Sequence, residues 1–199
     1  LALTQLPQEA AAWVGGNGFS PWLVLIVILV FYLLLGCLMD SLSMILLTIP
    51  IFWPVIQELD FGLVSMVELQ SARLTTLIES GADLPAAALA EAQAMLANGQ
   101  ELTREIIREL KLRGVSEGVL NRINIERTAI WFGILVLIVV EVGLITPPVG
   151  MNLFVINAMD RKTPMVETYK AVLYFVASDL VRVVILVAFP FITLMLIPW

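Results

Sequence analysis

The sequence predicts an all-α membrane protein with a re-entrant helical hairpin, a discontinuous transmembrane helix, a final transmembrane helix and a small soluble helical insert. Three observations support this fold class. Hydrophobic residues make up 60% of the 199 residues, against roughly 45–50% in soluble domains, and the mean hydropathy is +0.96. The apolar residues form three blocks, and a polar segment separates the first block from the second. Two adjacent prolines, Pro147 and Pro148, interrupt the second block.

The composition argues against several functional classes. The chain has no histidine, so neither a zinc site nor histidine-dependent catalysis is expected. Neither H-E-x-x-H nor G-x-S-x-G occurs, and we predict that the protein is not an enzyme. The net charge of −6 does not favour nucleic acid as a partner. The single cysteine, Cys37, permits no internal disulfide.

Residues 1–20 are predicted to be a connecting segment and residues 21–59 a membrane hairpin. The chain starts at Leu1 without an initiator Met or a basic region, so we expect no signal peptide and a longer parent protein. Pro21 to Met39 is an uncharged run of 19 residues, long enough to cross a bilayer. After the polar string DSLS, the second arm from Met44 to Ile56 has only 13 residues, which is typical of a re-entrant segment.

Residues 60–129 are predicted to form the polar helical insert. They hold 10 of the 17 acidic residues and 7 of the 11 basic ones. We expect an alanine-rich helix over 84–96, an amphipathic helix over 101–113 and a shorter helix over 115–125. The amphipathic helix aligns three apolar residues on one face, namely Leu102, Ile106 and Leu110. A solvated hairpin is favoured over a helix on the membrane surface, because Glu and Arg balance on the polar face.

Residues 130–199 are predicted to contain the discontinuous helix and the last transmembrane helix. The second apolar block runs from Ile130 to about Ala158, and the third runs from Ala171 to Trp199. The short loop between them carries three basic residues. The positive-inside rule therefore places loop 159–170 in the cytoplasm and the insert on the opposite side of the membrane.

The string GLITPPVGMN at 143–152 predicts a break in a membrane helix. The two prolines lack N–H groups, so carbonyl groups around Gly143 and Leu144 lose their helical partners. Free carbonyls at membrane depth are costly unless they line a cavity or hold a cation. Discontinuous helices of secondary transporters bind Na⁺ through such carbonyls, and Thr146 adds a hydroxyl oxygen. The alternative is a proline kink that only shapes packing.

Four charged residues of the apolar blocks have structural and functional interpretations. Glu141 either orients the unwound backbone or lies near the surface of the unit. Asp179 and Arg182, three residues apart on one helical face, are interpreted as a structural ion pair. Asp40 is interpreted as the N-cap of the second hairpin arm rather than as part of a proton relay.

Two long strings resemble the C-terminal half of the large membrane subunit of TRAP transporters, the tripartite ATP-independent periplasmic transporters. They are LLGCLMDSLSMILLTIPIFWPVI at 34–56 and WFGILVLIVVEVGLITPPVGMNLFVI at 131–156. A third string, ASDLVRVVILVAFP at 177–190, resembles the last helix of that subunit. The resemblance covers roughly residues 1–60 and 130–199.

The resemblance implies an elevator-type carrier in the bacterial inner membrane that couples Na⁺ to organic anions such as C4-dicarboxylates and sugar acids. It implies no cofactor beyond Na⁺ as the coupling ion. The implied partners are a periplasmic solute-binding protein, a small membrane subunit, the N-terminal half of the large subunit and the lipid bilayer. The implied sodium-binding residues are Gly36, Gly143, Thr146 and Val149, and the implied substrate-binding residues are Ser41, Ser43 and Asn152.

Residues 62 to about 129 depart from the family pattern, in which PVIQEL leads almost directly into IWFGIL. We expect an insert at this point to face the periplasm, where it could offer a docking surface to a binding protein. It could equally hinder the motion of the hairpin or reflect a rearranged gene. The alternative interpretation of the chain is an inactive transporter remnant that serves as the membrane anchor of a helical protein-interaction insert.

Overall fold

The computed structural model describes residues 6–146, 150–159 and 164–197. Within these ranges the chain is helical and contains no strand, so the all-α prediction is confirmed. The helices of the described residues are α1 Leu6–Gly16, α2 Pro21–Gly36, α3 Ser41–Gln57, α4 Met66–Glu79, α5 Ala86–Ala97, α6 Arg104–Glu109, α7 Glu117–Ile145, α8 Met151–Met159, α9 Met165–Ala188 and α10 Phe191–Leu194.

The chain divides into two compact units. The apolar unit comprises Leu1–Phe61 and Thr128–Leu196, and the second unit contains the insert, Gly62–Arg127. Two helices of the described residues, α7 and α9, are long and apolar enough to cross a membrane.

The hairpin arms α2 and α3 are shorter than the roughly 20 residues of a typical transmembrane helix. They contain 16 and 17 residues, or about 24–26 Å of helix, against about 30 Å of hydrocarbon in a bilayer. The first arm ends at Gly36, earlier than the uncharged run suggested. The second arm begins at Ser41 rather than at Met44. The predicted N-cap explains this start, because the Asp40 carboxylate accepts a hydrogen bond from the Ser43 N–H at 3.0 Å.

A buried chain of hydrogen bonds joins the two arms. Tyr32 and Thr48 are 0% and 4% exposed, and their hydroxyl oxygens lie 2.8 Å apart. The Thr48 hydroxyl also donates to the Met44 carbonyl at 2.7 Å. Because that hydroxyl has one proton, the Tyr32 hydroxyl must donate to Thr48. Both hydroxyl groups are thereby satisfied away from water, which fixes one arm against the other.

The helices of the insert differ from the prediction in three places. Helix α4 was not predicted, although Ser65 and Glu68 form a complete capping box at its start. Helix α6 is much shorter than the expected 101–113, because Thr103 caps its first turn and Lys111 adopts a left-handed backbone with φ of 49° just after its end. The expected separate helix over 115–125 is instead the first part of α7. Helix α5 lies where the alanine-rich helix was expected.

The insert has a hydrophobic core and paired ends. The core includes the three apolar residues that the sequence places on one face, Leu102, Ile106 and Leu110. Near the ends of the insert, the Val64 N–H donates to Asn124 Oδ1 at 2.9 Å, and Asn124 Nδ2 donates to the Val64 carbonyl at 3.1 Å. The Asn124 amide thus satisfies both backbone groups of Val64 and holds the first and last parts of the insert side by side.

Candidate cation site at the break between α7 and α8

The second apolar block is divided where the proline pair occurs. Helix α7 ends at Ile145 and α8 begins at Met151, so no continuous helix runs through this block. The prolines and Val149, one of the implied sodium-binding residues, lie outside the described residues. Gly150, which directly precedes α8, has a φ of +53°. This left-handed conformation suits glycine and sets the direction in which α8 begins.

Thr146 reorganises the hydrogen bonds at the end of α7. Its N–H donates to the Gly143 carbonyl at 3.0 Å, three residues back rather than the four of an α-helix. The Val142 carbonyl receives the Thr146 hydroxyl instead, with an oxygen–oxygen distance of 2.6 Å. The single hydroxyl proton is therefore directed at Val142, and the remaining lone pairs of Thr146 Oγ1 are available to an electron-poor partner.

The Leu144 carbonyl has no helical donor. The N–H groups that would reach it in a 3₁₀-helix or an α-helix belong to residues 147 and 148, and both are prolines. The described residues contain no group of three His, Cys, Asp or Glu side chains that could hold a metal ion. The Leu144 carbonyl and the Thr146 hydroxyl are neutral oxygens of the kind that hard cations accept as ligands.

The hairpin turn contacts the end of α7 through two glycines. A Cβ atom added to Gly143 would lie 2.7 Å from Gly36 Cα and 3.0 Å from the Leu33 carbonyl oxygen. A Cβ atom added to Gly36 would lie 3.0 Å from Gly143 Cα and 3.1 Å from the Val140 carbonyl oxygen. The two backbones thus touch without intervening side chains, so the last turn of α2 packs directly against the last turn of α7.

An aromatic cluster lies near the start of α2 and midway along α7. The rings of Trp22, Phe61 and Trp131 lie 5.3–5.8 Å apart, centre to centre. The Trp131 indole N–H donates to the Leu186 carbonyl of α9 at 2.8 Å. Helices α2 and α7 therefore run side by side in the same direction, from the aromatic cluster to the contact between the two glycines.

The other predicted residues lie around these two irregular segments. Ser41 begins α3 and is partly buried, whereas Ser43 in the same turn is exposed. Asn152 lies in the first turn of α8 and is exposed. The structure thus brings Gly36 into contact with Gly143, which lies three residues before Thr146. It places Ser41, Ser43 and Asn152 at the starts of the two helices that follow the turn and the break.

Three charged residues that the sequence analysis singled out lie on α7 and α9. Arg182 Nη2 lies 2.7 Å from Asp179 Oδ1, so these side chains form an ion pair on α9. Glu141 is exposed on α7.

Two polar groups of the apolar unit escaped the sequence analysis. Asn157 Oδ1 is buried and has no hydrogen-bond partner among the described residues. The indole N–H of Trp131 bonds the Leu186 carbonyl. For the second group a signal existed, since Pro190 follows Leu186 by four residues and cannot donate to its carbonyl.

Comparison with known proteins agrees with these features. The sequence model of the DctM component of tripartite ATP-independent periplasmic transporters matches residues 1–192. The chain is 27% identical over 199 residues to the C4-dicarboxylate TRAP transporter large permease protein DctM of Pseudomonas aeruginosa, covering all of this chain and 31% of that protein. It is 28% identical over 80 residues to a TRAP transporter large permease protein of Haemophilus influenzae, covering 38% of this chain and 20% of that protein. The chain therefore spans less than a third of either relative. No solved structure matches the chain.

Proposed function

Because this chain belongs to the family of the DctM component of tripartite ATP-independent periplasmic transporters, we propose that it is the C-terminal part of a large permease subunit that couples Na⁺ to organic-anion uptake. The proposed substrates are C4-dicarboxylates or sugar acids, and C4-dicarboxylate stands in the name of the Pseudomonas relative. The proposed mechanism is of the elevator type. The proposed partners are a periplasmic solute-binding protein, a small membrane subunit and the rest of the large subunit.

The observation that carries this proposal is the backbone contact between Gly36 and Gly143 beside the broken end of α7. The contact joins the last turns of α2 and α7, the two helix ends whose carbonyl groups the proposal assigns to Na⁺. Thr146 adds an oxygen whose proton is already directed at Val142. Such a set of neutral oxygens suits a monovalent hard cation. In this proposal Gly36, Gly143 and Thr146 contribute oxygens to Na⁺, and Val149 completes the set.

The helix lengths support a hairpin that enters the membrane without crossing it. Trp22 and Gly36 are separated by 14 residues of α2, or about 21 Å. In α9, Leu186 lies at the level of the aromatic cluster, and Met165 lies 21 residues away, or about 32 Å. Tryptophan prefers the membrane interface, and the hydrocarbon core is about 30 Å thick. If the aromatic cluster lies at one interface, α9 reaches the other, and the hairpin turn stops about 10 Å short of it.

The proposed substrate site lies at the N-terminal ends of α3 and α8. Ser41 is the first residue of α3, and Asn152 is the second residue of α8. The N-terminus of a helix carries free N–H groups and a partial positive charge, both of which favour carboxylates. Ser41, Ser43 and Asn152 would add hydrogen bonds to such an anion beside the Na⁺ that neutralises it.

Transport assays with purified components test this function. The complete large subunit, the small subunit and the binding protein are reconstituted into liposomes and supplied with radiolabelled succinate. We expect uptake that requires an inward Na⁺ gradient and stops when K⁺ replaces Na⁺. Uptake of equal rate in K⁺, or uptake driven by a proton gradient alone, would contradict sodium coupling.

Cysteine labelling tests the proposed topology. In a Cys37→Ala background, Ser80→Cys in the insert should react with a membrane-impermeant maleimide added to the periplasmic side of spheroplasts. Lys170 was expected in a loop, but it lies in the second turn of α9. Lys170→Cys, at the end of α9 that is proposed to face the cytoplasm, serves as the matched control and should react only after permeabilisation. The reverse pattern would show that the orientation is wrong.

A further inference from the structure

We propose that Trp131 replaces the backbone N–H that Pro190 removes, and that it thereby positions the last long helix on the helix that carries the break. The proposal concerns the Trp131 indole, the Leu186 carbonyl and the proline four residues beyond it. It does not depend on Na⁺ or on the transported substrate.

The hydrogen bonding at the end of α9 is incomplete without Trp131. An α-helical carbonyl accepts the N–H of the residue four positions later, and for Leu186 that residue is Pro190, which has no N–H. The neighbouring Phe189 N–H is already used, since it donates to the Ile185 carbonyl at 2.8 Å. The Trp131 indole, 0% exposed, donates to the Leu186 carbonyl at 2.8 Å. In a lipid-surrounded chain, an unpaired carbonyl at this position would be costly.

Pro190 also explains why α9 ends where it does. The residue before a proline is disfavoured in the helical conformation, and Phe189 has φ of −126° and ψ of 72°, outside the helical region. Pro190 itself has helical angles, with φ of −55° and ψ of −30°. Replacing the proline with alanine therefore removes the restriction on Phe189 and supplies the missing N–H in one step.

The remaining packing of α9 makes this hydrogen bond important for its position. Among the residues of α9, only Val176 and Val183 are buried. These two side chains fix which face of α9 is turned inward, but valine contacts are not directional. The indole-to-carbonyl bond is directional, so it sets the height of α9 along α7 at the level of the aromatic cluster.

A double-mutant cycle tests the proposal on the purified full-length protein in detergent. Trp131→Phe keeps an aromatic ring but removes the donor, and we expect the half-life of the folded protein at a fixed temperature to fall roughly tenfold, as for a buried acceptor left unpaired. Pro190→Ala in the same chain should restore most of that half-life. Trp22→Phe, in the same aromatic cluster, is the control, and Pro190→Ala should not rescue it.

The outcomes separate this role from general packing. The proposal is supported if Pro190→Ala restores the half-life of Trp131→Phe but not that of Trp22→Phe. Only Trp131→Phe lacks the N–H that alanine at position 190 supplies. The proposal is overturned if Pro190→Ala lengthens the half-lives of Trp131→Phe and Trp22→Phe equally. It is also overturned if Pro190→Ala is tolerated on its own but does not lengthen the half-life of Trp131→Phe. If Trp131→Phe does not fold, the half-life of the double variant Trp131→Phe/Pro190→Ala is compared with that of Pro190→Ala. The proposal then requires that the double variant folds.

Discussion

Gly143→Ala is expected to reduce the initial rate of sodium-dependent uptake at least tenfold. The new methyl carbon would lie 2.7 Å from Gly36 Cα and 2.9 Å from the Gly36 carbonyl carbon, far inside the roughly 3.5–4.0 Å of a normal carbon contact. All these neighbours are backbone atoms, which no rotamer change can move. The turn and the end of α7 must therefore separate by about 1 Å, and a displacement of that size is enough to disable a preorganised site.

Two matched variants accompany this test. Gly133 lies in the same helix, and a Cβ atom added there would meet nothing within 4 Å, so Gly133→Ala should leave uptake intact. Gly36→Ala should impair uptake less than Gly143→Ala, since its closest neighbours would lie at 3.0 and 3.1 Å. Expression and monodispersity of each variant in detergent establish that it folds. Full uptake by a folded Gly143→Ala protein would show that the close contact is not required.

Thr146→Val is expected to raise the Na⁺ concentration for half-maximal uptake by about tenfold or more, because an oxygen next to a charge contributes about 1.5–3 kcal/mol. Valine matches threonine in shape but carries no oxygen, so the packing of the break is preserved while one proposed ligand is lost. The same change removes the hydroxyl that bonds the Val142 carbonyl. Thr146→Ser keeps both functions and should therefore retain a sodium dependence close to that of the original protein.

The measurement is a sodium titration of uptake at a fixed, saturating concentration of substrate-loaded binding protein. A Thr146→Val titration that superimposes on that of the original protein would rule out the Thr146 hydroxyl as a ligand. A reduced maximal rate with an unchanged half-maximal Na⁺ concentration would likewise count against the site, because it would show damage to a later step rather than to ion binding.

Local chemistry made part of this structure predictable. Proline cannot donate a hydrogen bond wherever it occurs, so the break after Ile145 could be read from residues 147 and 148 alone. The Asp40 cap was equally local, because its acceptor and donor are three residues apart. The contact between Gly36 and Gly143 was different, since more than a hundred residues separate the two. Their proximity was expected only from the resemblance to a family.

The errors have physical causes too. Helix α6 ends near Lys111, which adopts a positive φ without being glycine or asparagine, and no residue at that point indicates a stop. The missed helix α4 did carry a signal, the capping-box pair Ser65 and Glu68. The junction between the insert and α7 was misjudged because polarity changes there while helical hydrogen bonding continues.

The paired ends of the insert bear on how such a protein can change over evolutionary time. The Asn124 side chain bonds the backbone of Val64, and in the apolar unit the rings of Phe61 and Trp131 meet edge to face, with centres 5.3 Å apart. A short loop and an entire folded module can therefore bridge the same gap. Gain of the module by a single insertion would suit this geometry, because the chain leaves the apolar unit at Phe61 and returns to it beside the same aromatic contact at Trp131.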